Sequence, residues 1–314
     1  MKNNLYDSMQ VKKVPAIYQI ELSSVCSLQC PGCLRTTALT REAGFLDLKL
    51  LHLMHERGDF AGTIYTELQM AGEPTLHPQL SEAIRFLKED VGLLVGLSTH
   101  GLQMRRVSVL CALMELDALT VSVDSVDPEH YHQVRYPANF KDLTECLDSL
   151  FKVVRVRHEQ RQTTPAIELQ LVRVAEDAKS GNVRALQKLL DEKGWSDLCR
   201  VRVIQDCFDV MQERSQKKPL VDLCLNPFSS VSVNQKGDVC SCCYCFNLEA
   251  ASINYYGNLY TQSLETIWRG VRVGLMQQSH QQGQQKDLCA KCVLKSPVLL
   301  QEGIVGNIAK WRGR

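Results

Sequence analysis

Residues 17–33 read Ile17-Tyr-Gln-Ile-Glu-Leu-Ser23-Ser-Val-Cys26-Ser-Leu-Gln-Cys30-Pro-Gly-Cys33, and three cysteines just beyond an apolar run set the reading of everything else. Ile17 to Ser23 predicts a short, mostly buried β-strand. The Cx3Cx2C spacing then falls on the loop at the strand's C-terminal end, where open α/β sheets bind their ligands. Three thiolates this close suit iron and sulfur: a four-iron, four-sulfur cluster normally takes four cysteines, so three leave one iron open to a cofactor. For the spacing taken alone, a zinc site is the competing reading.

Outward from this stretch the same pattern repeats. Thr63 to Met70, Leu93 to Thr99, Ala118 to Asp124, Ile167 to Val172 and Cys199 to Gln205 read as further buried strands, separated by longer helical patterns. Pro78 to Glu89 sets Leu80, Ala83, Ile84 and Leu87 on one helical face, and Leu186, Leu189 and Leu190 share another that ends at Gly194. Six βα units in about 190 residues predict a partial (β/α)6, TIM-like barrel of the α/β class, because a closed eight-stranded barrel needs about 250. The polar stretch Gln212 to Lys218 reads as a linker. Beyond it a hairpin pattern, Ser230 to Val239, turns at Gln235 to Gly237. The expected division is therefore an N-terminal extension (1–16), the barrel (17–219) and a small Cys-rich module (220–314).

The chain has 314 residues, with 36 Lys and Arg against 35 Asp and Glu, and a formal net charge of +1. That balance gives no general attraction to nucleic acid or to anionic lipid. No apolar run approaches the roughly 20 residues that span a bilayer. Met1 to Val14 is polar and lacks the hydrophobic region of a signal peptide, so a cytoplasmic location is expected. Fourteen cysteines in a reducing compartment then point to metal or redox chemistry rather than to disulfides. They cluster: three in Cys26 to Cys33, four in Cys240 to Cys245, and the pair Cys289 and Cys292.

Further motifs fall in step with the first loop. Ala71-Gly72-Glu73-Pro74 follows the second strand, Ser98-Thr99-His100-Gly101 closes the third, and Ser122-Val123-Asp124 closes the fourth with Arg135 downstream. Over residues 17 to about 205 the chain resembles the radical S-adenosylmethionine (SAM) superfamily. The resemblance implies a [4Fe-4S] cluster on Cys26, Cys30 and Cys33 with SAM on its open iron. It places Gly72, Glu73 and Pro74 against the SAM ammonium, Ser98 and Thr99 in the adjoining turn, and Ser122, Asp124 and Arg135 at the ribose and carboxylate. The implied chemistry is reductive cleavage of SAM to methionine and a 5′-deoxyadenosyl radical that takes hydrogen from an unactivated carbon. Three positions depart from the family pattern: His100 replaces the usual Asn, Ala71 replaces a Gly, and Gly32 stands where many members carry an aromatic residue.

Past residue 220, Cys224, twelve residues, Gly237, four residues and Cys242 are followed later by Cys289-Ala-Lys-Cys292. This resembles the SPASM extension of radical SAM enzymes. With no cysteine after Cys292 it matches the shortened twitch form, which implies one auxiliary [4Fe-4S] cluster on Cys224, Cys242, Cys289 and Cys292. A zinc ribbon on the same four thiols stays open on spacing alone. Cys240, Cys243 and Cys245 are then surplus, and a positioned thiol can return a hydrogen atom to a carbon radical, as radical SAM epimerases do. The alternative outcome is a dehydrogenase or cross-linking enzyme whose auxiliary cluster accepts an electron. A non-catalytic, zinc-binding regulator is the reading from another class.

The expected substrate is a peptide or a small polar metabolite, with flavodoxin or ferredoxin as electron donor. A first strand near residue 17 is expected to leave no room for a leader-recognition domain, so a peptide would be held by barrel or twitch surfaces. Cys111, Cys146, Cys199 and Cys207 read as packing residues, and His52 and His55 as an exposed helix face. His130 and His132 read as part of a loop near the site.

Overall fold

Successive residues of a strand point to opposite faces of a sheet, and the strands of this chain use the two faces differently. The computed structural model describes residues 14–173, 179, 181–205, 224–243, 254–285, 289–290 and 292. Its barrel strands are β1 (Ala16–Ile20), β2 (Tyr65–Leu68), β3 (Leu94–Thr99), β4 (Ala118–Ser122), β5 (Ala166–Arg173) and β6 (Arg200–Gln205). All six coincide with expected strands, and neighbours pair in parallel.

One face of this sheet carries Leu68, Leu97, Leu119 and Ile167 in register, with Val95, Val121, Leu169 and Leu171 beside them, all buried. Helices cover that face. After the short α1 (Leu34–Ala38), which buries no residue, they are α2 (Lys49–Glu56) before β2, α3 (Leu80–Arg85) before β3, and α4 (Val107–Leu113) before β4. The last crossovers use α5 (Pro128–Val134), α6 (Phe140–Glu159) and α7 (Val183–Lys193). The amphipathic α6 buries Leu143, Leu147, Leu150 and Phe151, whereas α7 ends at Gly194 in the left-handed conformation with φ 66°. α3 runs on as a wider π turn, Phe86–Asp90. The rings of His52 and His55 on α2 pack against Phe86 with centroids 4.1 and 5.7 Å away.

The strands are mostly buried, as expected, and their opposite face carries polar side chains. Register places Gln19 beside Glu67, Ser98 beside Thr120 and Glu168, and Ser122 beside Gln170 and Arg202. These side chains line the concave side of the partial barrel.

The second module contains the expected hairpin and extends the same sheet. The short α8 (Asn226–Ser229) leads into β7 (Ser230–Val233), which pairs in parallel with β1, matching Ala16 to Ser230 and Ile20 to Val233. β8 (Asp238–Cys240) and β9 (Tyr255–Asn258) then add antiparallel, and α9 (Leu264–Trp268) and α10 (Val271–Gln281) follow. Among the described residues the sheet has nine strands in the order β6-β5-β4-β3-β2-β1-β7-β8-β9. β1 is thus an interior strand. The expected division near residue 220 and the expected linker lie outside the described residues.

Where β1 ends, Glu21 is wholly buried and its carboxylate gathers three segments. It accepts two hydrogen bonds from Arg41 Nη2 at 2.7 and 2.6 Å, one from the Ala71 N–H at 2.9 Å and one from the Gln235 N–H at 2.9 Å. Arg41 also donates to the Gln235 side chain. The loop beyond the cysteines, the end of β2 and the hairpin of the second module therefore meet on one carboxylate. Nearby, Gly72 lies so close to the segment after β1 that a Cβ there would stand 2.4 Å from the Ser23 carbonyl oxygen and 2.6 Å from Ser24 Cα. Only glycine fits without moving backbone.

Two stability effects follow. Glu21→Ala removes the carboxylate that pairs with Arg41 and strands two main-chain donors, and should cost about 3–5 kcal/mol, read as a lower urea midpoint. Gly72→Ala should cost about 1–3 kcal/mol, because backbone rather than a movable side-chain end must give way. An unchanged midpoint in either variant contradicts the packing described.

Candidate active site at the strand ends

The cysteine loop rises from the end of β1 and is fastened on both flanks. The Ser24 N–H donates to the Gly44 carbonyl at 2.9 Å, the Gly44 N–H returns a bond to Ser24 Oγ at 2.9 Å, and Arg35 Nε donates to the Ser24 carbonyl at 2.7 Å. In mid-loop the Gln29 N–H donates to the Tyr136 carbonyl at 2.7 Å. Cys26, Cys30 and Cys33 are all partly exposed, and the Leu28 N–H lies 3.4 Å from Cys26 Sγ. Burial pushes the Cys26 thiol up to about 11 and raises Cys30 as well. Binding a metal cluster here must therefore release protons that the free thiols hold firmly.

This donor set fits the cluster that the spacing implies. Among the described residues no three His, Cys, Asp or Glu side chains converge on a single ion. A four-iron cube spreads its thiolates over separate corners, which suits three cysteines along one open loop.

Beside the loop stands Glu73, which is 2 % exposed. Its Oε1 accepts from the Thr75 N–H at 3.1 Å and from Thr99 Oγ1 at 2.6 Å, and its Oε2 accepts from the His100 N–H at 2.9 Å. Thr99 Oγ1 in turn accepts from the Gly101 N–H at 2.9 Å. Glu73 therefore fastens the end of β3 to the segment after β2. Pro74 opens the buried 3-10 turn that follows, Pro74–Leu76. His100, which breaks the family pattern, is buried with Nε2 3.2 Å from Ser27 Oγ, inside the cysteine loop.

Across from these groups, Asp124 adopts φ 60° at the end of β4, a backbone conformation unusual outside glycine. It forms an ion pair with Arg135, just past α5. The Arg135 guanidinium also reaches the Cys30 thiol, where its charge opposes the upward pull of burial. Asp124 Oδ1 and the Tyr131 hydroxyl are buried here without a hydrogen-bond partner. Unsatisfied buried polar atoms are costly, and two beside one pair mark a place shaped for a polar ligand.

The structure thus brings together the cysteine loop, Glu73, Thr99, Asp124 and Arg135. Ser98 and Ser122 instead belong to the concave face, where Ser98 Oγ donates to Glu67 Oε1 at 2.8 Å. His130 and His132 lie on helix α5 rather than a loop, with His130 buried. Cys111 is exposed, correcting its reading as a packing residue, whereas Cys146 and Cys199 are buried as expected.

In the second module Cys224, Cys242, Cys289 and Cys292 are each partly exposed. Asn254 Oδ1 accepts from Ser241 Oγ at 3.2 Å and lies 3.7 Å from Cys289 Sγ, so it joins the segment before Cys242 to Cys289. Of the surplus cysteines, Cys240 is fully buried, with its thiol directed at the Ser232 and Cys242 carbonyls at 3.5 and 3.4 Å. That placement withdraws it from substrate and corrects its choice as a donor. Cys243 is partly exposed and close enough to Tyr18 to weigh on the Tyr18 hydroxyl. Cys207 and Cys245 lie outside the described residues.

Sequence reasoning missed Glu67. Its carboxylate accepts from the Tyr65 hydroxyl and Ser98, and burial, opposed by those bonds, raises its pKa. Tyr18 packs beside Tyr65 with ring centroids 6.5 Å apart. The signal was present as charged residues at alternate positions of otherwise apolar strands: Glu67, Glu168 and Arg202.

Comparison with known proteins gives matches to two family models. The family model for the radical SAM superfamily matches residues 20–159, and that for an iron-sulfur cluster-binding domain, SPASM, matches residues 224–293. Among curated proteins, a GTP 3′,8-cyclase of Chlorobaculum tepidum is 31% identical over 140 residues, which is 42% of this chain and 40% of that protein. A second, from Photorhabdus laumondii, is 26% identical over 137 residues, 43% of this chain and 42% of its own. The chain thus spans about four tenths of the length of these relatives. Among solved structures, Streptococcus suis SuiB bound to precursor peptide SuiA superposes with TM-score 0.64 at 12% identity, covering 87% of this chain and 68% of that one. BtrN in complex with AdoMet and 2-DOIA gives 0.52 at 17%, covering 91% and 95%. At these identities the likeness is one of fold. The two family models cover both cysteine sets, and with the cysteine loop fastened at the strand ends they establish that the chain belongs to the radical SAM superfamily and carries a SPASM-type iron-sulfur domain.

Proposed function

We propose that the enzyme removes a hydrogen atom from a carbon of a peptide or small polar metabolite and returns one from the Cys243 thiol to the opposite face, giving an epimer. Cys26, Cys30 and Cys33 would hold the SAM-binding cluster, and Cys224, Cys242, Cys289 and Cys292 an auxiliary one. When loaded, the first cluster and SAM supply the carbon-centred oxidant that takes the substrate hydrogen. Gly72, Glu73, Pro74 and Thr99 shape the SAM side of the cleft, while Asp124, Arg135 and the Tyr131 hydroxyl offer the polar contacts. Positioning and exclusion of competing hydrogen sources are the protein's share of the catalysis.

The observation that carries the epimerase reading is the contrast between two neighbouring thiols. Cys240 is sealed inside the sheet, whereas Cys243 is partly exposed and near enough for its charge to raise the Tyr18 hydroxyl, which shares its surroundings with the polar concave wall of Tyr65, Glu67 and Arg202. After giving up its hydrogen atom, Cys243 needs one electron and one proton to return to the thiol. A flavodoxin or ferredoxin in the cytoplasm, acting through the auxiliary cluster, would supply the electron. Cys245 is the second candidate donor on sequence grounds.

A wall carrying Glu67, Glu168 and Arg202 suits a substrate rich in hydrogen-bonding groups. A peptide is favoured, because the SuiB structure of this fold holds a precursor peptide. Among the described residues no helix is long and apolar enough to cross a membrane.

Two measurements test the reading. Reduced, anaerobically reconstituted enzyme with SAM should release 5′-deoxyadenosine, and Cys26→Ala should abolish that release; unchanged release would overturn the site assignment. In heavy water, mass spectrometry of the product should show one solvent deuterium, lost in Cys243→Ala while 5′-deoxyadenosine still forms. A product lighter by two hydrogens would sink epimerisation and select oxidation by the auxiliary cluster.

A further inference from the structure

We propose that His100 is a positioning residue whose imidazole braces the loop between Cys26 and Cys30 against the Glu73 carboxylate. The ring is 4 % exposed and both of its nitrogens are engaged within the protein. Nδ1 accepts from the Leu102 N–H at 3.1 Å, so in the neutral ring the proton sits on Nε2. That N–H faces Ser27 Oγ at 3.2 Å and Glu73 Oε2 at 3.4 Å. Glu73 Oε2 also accepts from the main-chain N–H of His100 at 2.9 Å. Glu73, His100 and Ser27 therefore form a closed set joining the ends of β2 and β3 to the residue after Cys26.

Side-chain length decides why histidine can do this. An asparagine amide reaches roughly as far as Nδ1, so it could serve Leu102 but would fall short of Ser27. Nε2 lies one bond further along and spans the gap. With both ring nitrogens committed, the side chain has no polar group left for a nucleoside. Its effect on SAM is transmitted through the loop that carries Cys26 and Cys30. Groups that orient metal ligands from behind change affinity or activity by about 10–100-fold. This inference rests on the superfamily assignment and is independent of what becomes of the substrate radical.

The test is a graded series in the full-length, anaerobically reconstituted chain. His100→Asn keeps a polar atom near Nδ1 and loses the reach to Ser27; His100→Gln keeps the reach. Ser27→Ala removes the acceptor at an exposed position, so the fold is spared. The readouts are iron and sulfide per chain, the electron paramagnetic resonance spectrum of the reduced cluster with and without SAM, and KM for SAM against kcat for 5′-deoxyadenosine release. Ser27→Ala and His100→Asn should each raise KM for SAM about tenfold and weaken the SAM-induced spectral change. The double variant should be no worse than either single one. His100→Gln should restore the spectral change that His100→Asn loses. The proposal is overturned if Ser27→Ala keeps the wild-type spectral response and KM, or if Asn rescues where Gln does not. Absence of any SAM-induced change in the wild-type chain would strike the cluster assignment instead.

Discussion

A carboxylate taken out of water must find its donors inside the protein, and Glu21 finds them on three segments that the sequence places far apart. Arg41 arrives from beyond the cysteine loop, the Ala71 N–H from the end of β2, and the Gln235 N–H from the hairpin of the second module. Such a buried pair adds little net stability over an apolar substitute. What it confers is arrangement, because any other placement of these loops would leave a buried charge without partners. Both cysteine-bearing regions are thereby referred to one point at the end of β1.

The same economy of placement separates the two faces of the sheet. Apolar residues in register, from Leu68 through Leu97 and Leu119 to Ile167, pack under the helices and hold the scaffold together. The alternate positions carry Glu67, Ser98, Glu168 and Arg202 into the concavity, where they add nothing to the core and define a chemical surface. Glu67 shows the balance most clearly. Burial disfavours its charge, while the hydroxyls of Tyr65 and Ser98 favour it.

Much of this was legible in the sequence because it is written locally. Strand and helix periodicity located all six barrel strands, the helical faces and the Gly194 stop, and cysteine spacing located the loop. Features that depend on distant segments were not legible. The parallel pairing of β1 with β7 has no local signature, so the second module read as separate. The Glu21 and His100 networks were hidden for the same reason: a Glu after a strand, or a His in a turn, takes its meaning only from what folds against it. Glu67 is a different case, since a charge at an inward position of an apolar strand could have been recognised as a wall of the cavity. Cys240 and Cys243 shared one description on paper, and the turn after β8 gives them opposite fates.

The interior position of β1 has a consequence for how the molecule comes into being. Its second ladder partner, β7, is synthesised more than two hundred residues later. At ordinary ribosomal rates of about 5–20 residues per second, that is a delay of roughly 10–40 s. For that interval the nascent barrel presents an open strand edge, with its main-chain donors and acceptors bare, directly beneath the future cofactor loop. An edge of that kind recruits whatever strand is nearest. Until β7 docks, β1 is an edge strand, so the sheet that carries the cysteine loop is complete only once the second module has been made.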